Sequence, residues 1–89
     1  MSARMQNTIL SYFADEQSML IFALLYLDGD IREKILGIRE EFYESERKAK
    51  YWRAKLTKKI HPDYCHHSKA NEATAKLNSI YERMIRHAE

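Results

Sequence analysis

The sequence contains few of the residues that interrupt regular secondary structure. Its 89 residues include only two glycines and one proline. Tight turns between strands depend on these residues, whereas Lys, Glu, Arg, Ala, Leu and Ile, which are abundant here, favour helices. We therefore predict an all-α protein. A chain of this length forms one domain with a modest core, which argues against a deep catalytic cleft and against an enzyme.

Long apolar runs and paired cysteines are also missing. The longest apolar run extends from Met19 to Leu27, less than half of the ~20 residues that a membrane-spanning helix needs. Asp15 and Glu16 precede it, where a signal peptide would carry basic residues. The single cysteine, Cys65, cannot form an internal disulfide and indicates a reducing compartment. These features predict a cytoplasmic protein without a membrane span.

The net charge of +2 conceals an uneven distribution of cations. Residues 1–30 contain one cation, Arg4, whereas residues 47–59 contain seven Lys or Arg and no acid. A cationic helix can steer docking on an acidic protein surface or can bind nucleic acid. Because only Tyr51 and Trp52 are available there for base stacking, we rank nucleic-acid binding below protein binding.

One helix and one turn are predicted before the basic run. Asp15 can cap a helix over residues 15–27, whose apolar residues surround the axis instead of lining one face. Such a helix is either buried in the core, which we favour, or a surface for docking or homodimer formation. In Asp28-Gly29-Asp30, Gly29 can take a positive φ and Asp30 can cap the following helix.

From Ile31 onward the pattern permits two interpretations. Apolar residues at spacings of four and three describe one helix of about 30 residues with a single buried stripe, apart from one gap at Ser45. Alternatively the helix breaks at Ser45, which suits an N-cap, and Glu46 suits the first turn of a new helix. The buried face of the basic helix comprises Ala49, Trp52 and Leu56.

The basic helix is predicted to stop within Ile60-His61-Pro62-Asp63-Tyr64. Proline lacks a backbone N–H and disfavours helical geometry in the residue before it, so a bend is expected at about His61. The residues of this bend are also ordinary turn chemistry, in which Asp63 can bond to the N–H groups of its own loop.

A second helix follows the bend and runs to about His87, with Ser68 or Asn71 as its cap. Its buried stripe comprises Ala73, Leu77, Ile80 or Tyr81, and Met84. The two helices predict an antiparallel hairpin with the His-Pro-Asp loop at its tip, braced by the N-terminal helices.

Two stretches of the chain resemble the J-domain of the DnaJ co-chaperone family. They are YWRAKLTKKIHPD at residues 51–63 and KLNSIYERM at residues 76–84, and the resemblance covers about residues 45–86. In that family a basic helix ends at a His-Pro-Asp loop and a return helix carries a Leu/Ile-Asn-x-x-Tyr segment, which we match to Asn78 and Tyr81. The segment ILGI at residues 35–38 resembles the end of the family's short first helix, which favours the break at Ser45.

The resemblance implies a co-chaperone that binds a 70-kDa heat-shock chaperone and stimulates its ATPase, with no cofactor. The implied partner-binding residues are His61, Pro62, Asp63, Lys50, Lys55 and Lys59. A further position that is usually basic falls on Ala54. The family's core tyrosine position falls on Arg53, with Trp52 one residue earlier, so the packing of this hairpin must differ.

The implied organisation is an N-terminal helical extension over residues 1–30 packed on a J-domain-like domain over residues 31–89. A different class of function is an adaptor that keeps the hairpin and binds through residues 1–30. Cys65, His66 and His67 lie near His61, but adjacent histidines without a second cysteine pair do not match the spacing of a zinc site. We predict no metal.

Overall fold

The computed structural model describes residues 15–88, which form four α-helices and one short 3-10 helix and contain no strand. The elements are α1 (Glu16–Tyr26), α2 (Gly29–Leu36), the 3-10 helix (Glu40–Tyr43), α3 (Glu46–Ile60) and α4 (Ala70–Ala88). The all-α prediction is confirmed. Residues 1–14 of the predicted N-terminal extension, and residue 89, lie outside the described range. No helix between residues 15 and 88 is long and apolar enough to cross a bilayer.

Helix α1 is a core helix. The Asp15 carboxylate accepts a hydrogen bond from the Ser18 N–H at 2.7 Å and so caps the first turn, as predicted. The helix contacts α2, α3 and α4. Its buried residues are Met19, Leu20, Ile21, Ala23 and Leu24. A homodimer through this helix stays a prediction, and it would have to use the exposed side chains of Phe22 and Tyr26.

The turn after α1 differs from the prediction in its cap. Gly29 takes the predicted positive φ, at 60°. Asp28, rather than Asp30, occupies the N-cap position, so the prediction for Asp30 is wrong. Because Gly29 already begins α2, Asp30 lies within the first turn, where its negative charge is favourable beside the helix dipole.

The prediction of a single helix of about 30 residues from Ile31 is wrong. Helical geometry is interrupted after Leu36 and again after the 3-10 helix. Helix α2 ends at Gly37 with a φ of 70°, and the Ile38 N–H returns to the Glu33 carbonyl at 2.8 Å. This left-handed cap satisfies carbonyls that the end of a helix leaves open. Helix α3 begins at Ser45, whose hydroxyl accepts from the Lys48 N–H at 3.3 Å. The predicted break at Ser45 is therefore confirmed.

Helices α3 and α4 pack against each other in opposite directions. Arg53, in the middle of α3, stacks on Tyr81 of α4, and Tyr43, just before α3, contacts His87 at the end of α4. The predicted stripes are confirmed and Ile60 extends the first of them. The buried residues of the two helices are Ala49, Trp52, Leu56, Ile60, Ala70, Ala73, Leu77, Ile80, Tyr81 and Met84.

The start of α4 is one further correction. The helix begins at Ala70, and the Ala73 N–H donates to the carbonyl of Lys69 at 3.0 Å. Lys69 thus takes the cap position that was predicted for Ser68 or Asn71. Its own N–H donates to Nδ1 of His67 at 3.0 Å, so a histidine side chain forms part of this helix start.

Candidate functional site

The candidate site is the segment that follows α3, in which His61 organises the backbone. The His61 N–H closes the last turn of α3 on the Thr57 carbonyl at 2.9 Å. Pro62 cannot donate the next bond. The His61 carbonyl then accepts from the N–H groups of Tyr64 and Cys65, at 2.8 and 2.9 Å. These two hydrogen bonds fold residues 61–65 into a tight turn.

The side chain of His61 also holds the backbone of Asp63. Its Nδ1 accepts a hydrogen bond from the Asp63 N–H at 3.1 Å. The same Nδ1 lies 3.5 Å from Oδ2 of the Asp63 carboxylate, so the ring stays close to both the backbone and the side chain of Asp63.

The Asp63 carboxylate faces solvent. Its side chain is 79% exposed, against 37% for His61. Exposed carboxylates on a constrained backbone can accept the fork of an arginine from another molecule in two charge-assisted hydrogen bonds. The geometry thus presents an acid outward at the point where the basic helix ends.

The three lysines predicted for docking do not share one face of α3. Lys55 and Lys59 line a groove of about 930 Å³ between α1, α2, the 3-10 helix and α3. Lys50 precedes Lys55 by five residues, which places it about 140° away around the helix. Lys50 is exposed there, but it does not stand beside the other two.

Lys59 is engaged within the chain. Its ammonium binds the carboxylate of Glu16 in the first turn of α1, and both side chains are about half exposed. Lys55 lies with its ammonium 5.7 Å from the ring centre of Tyr51. An acidic partner would therefore meet Lys55 directly, whereas it would have to compete with Glu16 for Lys59.

Three cations of the groove, Arg39, Arg47 and Lys48, carried no docking assignment from the sequence. Arg47 and Lys48 line it together with Lys55 and Lys59, and the Lys48 ammonium binds Glu41 of the 3-10 helix at 3.0 Å. That hydrogen bond, and the attraction of the same ammonium, lower the pKa of Glu41. For Lys48 the available signal was its spacing of seven residues from Lys55, because residues seven apart lie on nearly the same face of a helix.

Trp52 and Arg53, where the sequence departs from the J-domain pattern, take different places in the structure. Trp52 is buried, and its indole Nε1 donates to the Leu36 carbonyl at 2.8 Å. The Arg53 guanidinium lies 4.3 Å from the ring centre of Tyr81. Arg53 thus packs on α4 from the position where the J-domain resemblance implies a tyrosine. Because Trp52 is buried, it is unavailable for stacking on a nucleic-acid base.

Cys65 and His67, after the bend, lie in local structural positions. Cys65 is buried with 4% of its surface exposed. His67 accepts the Lys69 N–H through Nδ1. Within residues 15–88 no three His, Cys, Asp or Glu side chains are grouped so that they could hold a metal ion.

Comparisons with known proteins do not assign the chain. No protein-family model matches it, and neither curated proteins nor solved structures match it. The J-domain resemblance therefore rests on the residues of this sequence alone, and function has to be argued from the geometry of the site.

Proposed function

We propose that this protein is a J-domain-like co-chaperone that binds a 70-kDa heat-shock chaperone and stimulates its ATPase without performing chemistry itself. The observation that carries the proposal is the exposed carboxylate of Asp63, held directly after Pro62 where the basic helix α3 ends. Helix α4 returns beside α3, as the resemblance requires. The chaperone is thus proposed to meet an acid and a set of cations on one rigid unit.

Each residue of the loop has a separate proposed part. Pro62 stops α3, His61 fixes the Asp63 backbone through Nδ1, and Asp63 accepts a cationic group of the chaperone. Because the backbone is already constrained, little conformational freedom is lost when the partner binds.

The cations of α3 are proposed to orient the encounter with an acidic surface of the chaperone. Lys55 contributes positive charge from the side of the groove. Lys59 contributes as well once its ion pair with Glu16 has opened. Lys50 adds positive charge from the other side of the helix. Long-range attraction of this kind raises the association rate more than it raises the final affinity.

The ends of the helices before the loop also support the proposal. Helix α2 ends at Leu36 with Gly37 as its cap, and α3 starts at Glu46 with Ser45 as its cap, which agrees with the short first helix and the capped second helix of a J-domain. Helix α1 is then an addition, and it belongs to the proposed extension over residues 1–30 that packs on the domain over residues 31–89.

The test is a steady-state ATPase assay of a purified 70-kDa heat-shock chaperone with the wild-type protein and with Asp63→Asn. The wild type should stimulate hydrolysis and Asp63→Asn should not, because the amide lacks the charge that a cationic group of the chaperone binds. Asp30→Asn, an exposed aspartate in α2, is the matched control and should stimulate like the wild type. Equal rates with wild type and Asp63→Asn, or no stimulation by either, would overturn the proposal.

A further inference from the structure

The end of α3 leaves several carbonyls without their usual donors, and the carbonyl of Lys59 is one of them. In a helix that continued, the Lys59 carbonyl would accept the N–H of Asp63, four residues later. That N–H donates instead to Nδ1 of His61 at 3.1 Å. The helix therefore ends with an acceptor that has to be satisfied from elsewhere.

Gln17, in the first turn of α1, supplies the missing donor. Its Nε2 donates to the Lys59 carbonyl at 2.9 Å and lies 3.5 Å from the Tyr64 carbonyl. Two carbonyl oxygens on one side identify the group facing them as the amide NH₂, because the amide oxygen could only accept. A single nitrogen thus reaches both ends of the segment that contains His61, Pro62 and Asp63.

The rest of α1 runs along the same connection between α3 and α4. Glu16, beside Gln17, binds the ammonium of Lys59. In the last turn, Tyr26 has the Lys69 ammonium 5.8 Å from its ring centre, and a side-chain hydrogen bond with Tyr26 raises the pKa of Lys69. Both side chains of the Glu16–Lys59 pair are about half exposed, and such exposed pairs contribute little. The hydrogen bond from Gln17 differs from this ion pair because it reaches the backbone at both ends of the segment.

We infer that Gln17 is a positioning residue that holds the His61-Pro62-Asp63 segment in the geometry the chaperone recognises. The inference rests on the proposed function. Gln17 acts through the carbonyls of Lys59 and Tyr64 and does not itself touch the partner. Helix α1 is thereby part of the docking apparatus as well as part of the core.

The test compares three variants at position 17 in the full chain. Gln17→Glu keeps the size but turns an acceptor toward two carbonyls, and Gln17→Leu removes all hydrogen bonding. Gln17→Lys keeps a donor and should rescue. Asn71→Asp, which adds the same charge at an exposed position of α4, is the control. Far-UV circular dichroism checks that each variant is folded.

The first measurement is amide hydrogen exchange on the protein alone. In Gln17→Glu and Gln17→Leu, exchange at Tyr64 and Cys65 should accelerate about fivefold, the equivalent of one hydrogen bond of about 1 kcal/mol. Amides in the middle of α4 should be unaffected. Unchanged exchange at Tyr64 and Cys65, or equal acceleration throughout the protein, would overturn the inference.

The second measurement is stimulation of the chaperone ATPase as a function of protein concentration. Gln17→Glu and Gln17→Leu should need about fivefold more protein for half-maximal stimulation, whereas Gln17→Lys and Asn71→Asp should follow the wild type. If Gln17→Glu stimulates as well as the wild type, this inference fails and the proposed function stands. If the wild type itself does not stimulate, the proposed function fails, and the exchange measurement still decides whether Gln17 holds the loop.

Discussion

The indole of Trp52 donates a hydrogen bond to the backbone carbonyl of Leu36, with 2.8 Å between Nε1 and the oxygen. This bond joins the middle of α3 to the end of α2, and it lies in the buried part of the protein. The side chain thereby fills the core and also satisfies a carbonyl at the point where the Gly37 turn leaves the helix.

We expect Trp52→Phe to lower the free energy of unfolding by about 1–3 kcal/mol, because the Leu36 carbonyl loses its donor in a buried place. Urea denaturation monitored by circular dichroism measures the change. Tyr51→Phe, at a neighbouring side chain that is 69% exposed, should stay within about 0.5 kcal/mol of the wild type. A Trp52→Phe protein as stable as the wild type would contradict the role of this bond.

Two positions of α1 should respond differently to truncation. Leu24 is fully buried, so Leu24→Ala should cost about 2–5 kcal/mol of stability through lost transfer energy and a cavity. Phe22 is 40% exposed, and Phe22→Ala should cost distinctly less. Chemical denaturation of both variants provides the comparison, and similar losses for the two would argue against α1 as a core helix.

The ion pair between Glu41 and Lys48 predicts a pH dependence of stability. Lys48 lowers the pKa of Glu41 from its ordinary value of 4.5, chiefly by its hydrogen bond. A lowered pKa in the folded state contributes stability that is fully present above pH 4.5 and disappears as the pH falls through the folded value. Wild type should therefore melt at a higher temperature than Glu41→Gln at neutral pH, and the gap should close as the pH falls through the folded-state pKa of Glu41.

The control for that experiment is the same pair of proteins with Lys48→Met in both. Without the ammonium, the largest causes of the lowered pKa are gone and only the weaker attraction of Arg39 remains, so the difference in melting temperature should depend much less on pH. Thermal melts at several pH values decide the matter. A gap between wild type and Glu41→Gln that is constant from neutral to acidic pH would show that the pair contributes nothing.

The two sides of α3 should contribute unequally to the proposed docking. Lys55 lies among the groove cations, whereas Lys50 lies about 140° away around the helix. Lys55→Glu should raise the concentration for half-maximal ATPase stimulation by about fivefold, and more at low salt than at high salt. Lys50→Glu, the matched charge reversal, should have a smaller effect. A larger effect of Lys50→Glu would place the docking face on the other side of α3.

Local features of this fold could be predicted from the sequence because short-range chemistry decides them. Asp15 and Ser45 are caps that bond to N–H groups three residues later, and Gly29 takes the positive φ expected of it. The stripes of α3 and α4 follow helical spacing. The segment between Gly37 and Ser45 contains nothing that forbids a helix, and for that reason the sequence left two interpretations open.

Features that depend on tertiary contacts were out of reach. Glu16 and Lys59 are 43 residues apart, and no periodicity links them. The same holds for Gln17, a residue without a motif, whose partner is a backbone carbonyl left open at the end of α3. Lys50 was grouped with Lys55 and Lys59 by family position, although helical geometry alone separates it from them.

The buried thiol of Cys65 can report on local opening of the connection between α3 and α4. With 4% of the residue exposed, an alkylating reagent can reach the sulfur only when the chain around it opens. The rate of thiol modification in the native protein therefore measures how often this part of the chain opens. A ligand that binds the neighbouring turn should lower that rate, and the measurement needs neither a fluorophore nor a new mutation.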